Sequence, residues 1–174
     1  DEDRRVKTEI KKLLEELTRR SREVEEDDRR LLDELTRETE RIEEDLRRLL
    51  EEVRRSGVPE DKLREIEREI RELRKRLEDL NKEIKDLSEK TRKELRDLNR
   101  RLKEIVDRLK ERIDKEGATD EIEREVRKVE EDYRRSLRRV LEESRKIAER
   151  YKKKLDEMRE EVRRRAKKVK DEVR

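Results

Sequence analysis

Apolar residues recur along this chain at steps of three and four, the spacing that keeps one face of an α-helix apolar. In the first third the stripe runs Val6, Ile10, Leu13, Leu17, Val24, Leu31, Leu35, Ile42, Leu46, Leu49 and Val53, and its missing steps fall on Ser21, Asp28 and Thr39. In the second third it runs from Leu63, Ile66 and Ile70 to Leu109 and Ile113, with Thr91 as a polar step. In the last it runs from Ile122 and Val126 to Val169 and Val173, with Tyr133 and Tyr151 on the stripe and Ser144 interrupting it. The first third repeats about every 18 residues, as in Val6/Val24/Ile42 and Leu13/Leu31/Leu49, and the last does so in part, as in Ile122/Val140/Met158. Eighteen residues complete five turns of an ideal helix, so a stripe with that period does not drift and needs little supercoil. The pattern predicts nearly straight, coiled-coil-like helices with slight left-handed coiling.

Two joints separate the stripes. The only glycines are Gly57 and Gly117 and the only proline is Pro59, which divide the chain into nearly equal thirds. Gly57 and Gly117 suit the left-handed position that ends a helix. Pro59 suits the first turn of the next helix, and Thr119 can cap the amides that follow it. The expected helices cover about 2–56, 59–116 and 119–173, each about 80 Å long at 1.5 Å per residue. Connections this short force antiparallel neighbours. The fold class is therefore all-α: an elongated antiparallel up-down-up three-helix bundle, with residues 1–174 as one domain.

Composition narrows this further. Charged residues make up 64% of the chain and hydrophobic residues 27%, too few for a compact globule but enough for a bundle in which each helix buries one stripe. The net charge of +3 and the strict helical spacing argue against disorder. Glu, Lys, Arg and Leu dominate, and all favour helix. Outside the stripes, opposite charges stand four apart, as in Glu67–Arg71, Glu72–Arg76 and Glu123–Arg127. There is no Cys and no His, so disulfides, thiol chemistry and the commonest general base and metal ligand are missing. No apolar run approaches a membrane span, and the opening residues carry no apolar signal region. A soluble chain is expected, with no compartment addressed.

The residues that interrupt the stripes are the most informative. Once the chain doubles back at each joint, Asp28 comes level with Ser88, with Thr91 and Ser144 within a turn and Tyr151 nearby. A second level gathers Ser21, Asn99 and Ser136, and a third sets Thr36 or Thr39 near Asn81. Buried polar groups must be paired, and a satisfied polar layer penalises sliding of one helix past another. One reading makes these residues a hydrogen-bond network that sets register. The other leaves Ser and Thr as tolerated seam residues and turns Asp28 to solvent or to a neighbouring Arg. A lone Asp among hydroxyls makes a poor metal site and has no acid–base partner of another type.

Other functions find little support. Basic runs such as Lys152-Lys153-Lys154 and Arg163-Arg164-Arg165 are interleaved with acids, and the aromatics needed to stack bases are lacking. Leu14, Leu32, Leu50 and Leu141 lie beside the main stripe and either widen it or offer a face for association. Over its whole length the chain resembles computationally designed helical bundles: equal helices, glycine only at the joints, an 18-residue repeat and a Glu/Arg/Lys surface without His, Cys, Phe or Trp. Its polar levels resemble those of designs with built-in hydrogen-bond networks. Spectrin-type repeats, with shorter helices and aromatic cores, do not match. The resemblance implies a thermostable structural scaffold without enzymatic activity, cofactor, metal, nucleic-acid or membrane partner. A monomer is expected, with helix exchange between chains left open. The alternative is a natural coiled-coil interaction or adaptor module that associates through the Leu14/Leu32/Leu50 strip.

Overall fold

The computed structural model describes residues 1–173; the side chain of Val173, the last stripe position, lies outside what is described. Three helices pack against one another: α1 (Glu2–Arg55), α2 (Glu60–Glu116) and α3 (Asp120–Val173). There is no strand among the described residues.

The helix ends follow from local chemistry. Gly57 and Gly117 adopt φ of 69° and 79°, and no other described residue has positive φ. Both sit where a Cβ would be strained by backbone geometry. At the first joint the Ser56 hydroxyl donates to the Val53 carbonyl at 2.7 Å, and the Pro59 carbonyl accepts the first bond of α2 from the Leu63 amide at 2.9 Å. Pro59 thus stands just outside α2, one residue before its expected place in the first turn. At the second joint Thr119 acts as the cap: its hydroxyl oxygen accepts from the Ile122 amide at 3.2 Å. Acidic residues begin each helix (Glu2 and Asp3, Glu60 and Asp61, Asp120 and Glu121), where the helix dipole favours them.

The chain forms two compact units, and every helix contributes to both. The first comprises Asp1–Arg29 and Ser88–Arg145; the second comprises Arg30–Leu87 and Lys146–Arg174. The first unit's core holds Val6, Ile10 and Leu17 from α1, Leu95, Leu102, Val106, Leu109 and Ile113 from α2, and Ile122, Tyr133, Leu137 and Val140 from α3. The second unit's core holds Leu35, Ile42, Leu46 and Val53 from α1, Ile70, Leu77 and Ile84 from α2, and Leu155, Met158 and Val162 from α3, among others. Burying each large side chain contributes about 1.5–3 kcal/mol before entropy is subtracted.

Three of the four leucines beside the main stripe pack toward the cores. Leu32 is buried, and Leu14 and Leu50 are half-buried against the cores of the first and second units respectively. These three leucines widen the apolar stripe of α1. Among the described residues the one exposed large apolar side chain is Ile105, at 36%.

Candidate functional site

The polar residues of the first unit build the most distinctive site. Ser21, Asp28, Thr91 and Ser144 are buried within it. They occupy stripe positions, so helix periodicity itself turns them inward.

One bridge joins all three helices. The Tyr133 hydroxyl on α3 donates to Asn99 Oδ1 on α2. The Asn99 amide in turn donates to the Ser21 hydroxyl oxygen on α1 at 3.0 Å. Tyr133 is 5% exposed. Burial pushes its phenol above the ordinary value of 10.0, and hydrogen bonding with Ser21 works against that rise.

Sequence spacing placed Ser136 at this level, but Tyr133 takes its part. Three residues along a helix is a rotation of about 300°, so Ser136 stands about 60° off the stripe that carries Tyr133. It is half-buried, and its short side chain makes no hydrogen bond to Asn99 or Ser21. A tyrosine on an apolar stripe needs a polar partner for its hydroxyl, and Tyr133 finds one in Asn99.

A second bridge spans α1 and α3. The Ser144 hydroxyl donates to Asp28 Oδ1. Asp28 is 4% exposed, so it does not turn to solvent. Burial raises its carboxyl above the usual 3.8, and Glu25 adds to the rise. The Ser144 hydrogen bond and the positive charge of Arg92 on α2 oppose it. Ser88 is half-buried and Thr91 buried, and neither side chain bonds Asp28. The four-residue cluster expected from height matching is thus a two-residue bond with Thr91 buried in the same unit.

The remaining polar residues fall in the second unit. Tyr151 is half-buried against its core, with the Lys154 ammonium 5.9 Å from the ring centre. Burial raises its phenol, and Glu83 and Asp86 raise it further. Thr36 and Thr39 each donate to the carbonyl four residues back, Leu32 and Leu35, at 2.9 Å. Neither reaches Asn81, whose Oδ1 is buried without a protein partner. The third level does not assemble because a hydroxyl inside a helix finds its own backbone first.

Each unit has a groove between helices with a rim of mixed charge. In the first unit it has a floor of Val24, Leu137 and Leu141 between Arg20, Arg138, Glu23 and Asp27. In the second, Ile66, Ile70 and Val169 lie beneath Lys62, Lys168, Glu65 and the Glu69–Arg165 ion pair. No group of three or more His, Cys, Asp or Glu side chains is placed to hold a metal ion among the described residues, and no described helix is long and apolar enough to cross a membrane. Comparison with protein-family models, with curated proteins and with solved structures found no match to this chain.

Proposed function

We propose that this chain is a designed structural scaffold: an antiparallel up-down-up three-helix bundle whose buried polar residues set helix register, with no biochemical activity of its own. The observation that carries the reading is the Ser21–Asn99–Tyr133 bridge, in which one amide uses its donor and its acceptor to tie one helix to each of its two neighbours. Sliding any helix by a turn would leave buried polar atoms unpaired, at about 1–3 kcal/mol each.

Ion pairs support the antiparallel path. In the first unit Lys7, near the start of α1, pairs with Asp114 at the end of α2, and Arg5 pairs with Glu123 at the start of α3. In the second, Arg54 at the end of α1 pairs with Glu67 near the start of α2, and Arg76 pairs with Glu161 of α3. Design is supported by idealisation: helices of 54, 57 and 54 residues, and, among the described residues, positive φ at the two joint glycines alone.

The test replaces the bridge with apolar groups of similar shape, Ser21→Ala, Asn99→Leu and Tyr133→Phe together. The triple variant should unfold at a denaturant concentration equal to or above the parent's, since a buried polar group replaced with its partners costs little. Spin labels at exposed Arg22 and Arg101 should report one narrow distance in the parent and a broadened or shifted distribution in the variant. A narrow distribution at the parent's distance would remove the register role.

A further inference from the structure

The first unit holds a carboxylate in its interior with one hydroxyl to satisfy it. Asp28 is buried on α1, and the hydrogen bond it receives comes from Ser144 of α3. The charged groups acting on it are Arg92 on α2 and Glu25 on its own helix, of opposite sign; α3 brings the Ser144 hydroxyl and, among the described residues, no charge that acts on it. The charge of Arg92 acts on Asp28, but the side-chain hydrogen bond that Asp28 receives is from the neutral Ser144. A buried anion held by a neutral hydroxyl is an expensive arrangement, and taking up a proton removes the charge and adds an O–H donor.

We propose that Asp28 is a proton-linked switch in the first unit, which holds together more tightly with this carboxyl neutral than with it charged. This inference stands apart from the design reading, because it needs only the burial of Asp28 and the groups around it. Asp28 in the native state binds its proton more readily than in the unfolded chain, where the ordinary 3.8 applies. The stabilisation is therefore fully present below 3.8 and is lost as pH rises through the higher native value. The sign is opposite to that of a carboxylate held in a salt bridge, which loses its contribution on acidification.

The experiment compares the parent chain with Asp28→Asn, a neutral side chain of the same shape, by urea unfolding at pH 7 and pH 4. At pH 7 the Asn variant should show the higher midpoint, and at pH 4 the gap should narrow. A gap that is the same at both pH values, or a parent more stable than the variant at pH 7, overturns the proposal. Should the variant fail to fold, the parent decides: the Asp28 carboxyl carbon, followed by NMR in the native chain, should titrate above 3.8. Arg92→Gln should move that midpoint higher still. A midpoint at or below the ordinary value overturns the switch.

Discussion

At the scale of single residues, reach and rotation decide which polar groups meet. Asn99 serves two partners, so Asn99→Ala removes a hydrogen bond from both the Ser21 and the Tyr133 hydroxyl. The expected loss is about 1–3 kcal/mol, seen as an earlier denaturation midpoint. Ser136→Ala touches no hydrogen bond of the bridge and should stay within about 0.5 kcal/mol of the parent. The contrast matters because the two residues were indistinguishable by height along the bundle. Position in the chain specifies height well, since each residue advances a helix by about 1.5 Å. Contact across a seam also depends on rotation about the helix axis and on side-chain length. A phenol reaches across where a serine does not, and Thr39 never leaves its own helix.

At the scale of helices, the ends are held by chemistry that is easy to perturb. Thr119 caps α3, and its removal by Thr119→Ala should cost about 0.5–2 kcal/mol. Hydrogen exchange should show the loss as faster exchange of the amides of residues 120–122, while amides in the middle of α3 keep their protection. Much at this scale was legible in advance. Two glycines mark the joints because few other residues accept their positive φ, and the proline because its fixed φ and missing N–H suit a helix start; the stripe shows inward faces because burial follows the helical period. Even the polar steps Ser21, Asp28, Thr39, Thr91 and Ser144 are buried as their spacing requires. The finer rotation was not legible: Leu31 lies on the stripe and Leu32 beside it, yet Leu32 is the more buried. Charge pairing was half legible. Glu67 does pair with Arg71 four residues on. Arg76 and Glu123 instead bond across to Glu161 and Arg5, partners that only the packed helices bring near.

At the scale of the whole molecule, the charged surface is abundant and energetically light. Most of its ion pairs are solvent-exposed, such as Arg64–Glu60 and Arg48–Glu44. Pairs of this kind are worth about 0–1 kcal/mol each and are screened by salt. Raising the salt from low to about 1 M, where the Debye length is about 3 Å, should therefore shift the unfolding midpoint only slightly. A large loss of stability would show that the surface charges, rather than the apolar cores, hold the helices together. On the scaffold reading sedimentation should return a single species of 21.7 kDa, whereas a dimer would favour association along Leu14, Leu32 and Leu50. The placing of the two tyrosines has a practical consequence. With no tryptophan in the chain, ultraviolet emission comes from Tyr133 in the first unit and Tyr151 in the second. Exchanging either for phenylalanine leaves a lone fluorophore in the other unit. The protein thus carries one native optical reporter per unit, and the melting of each can be followed without attaching a dye.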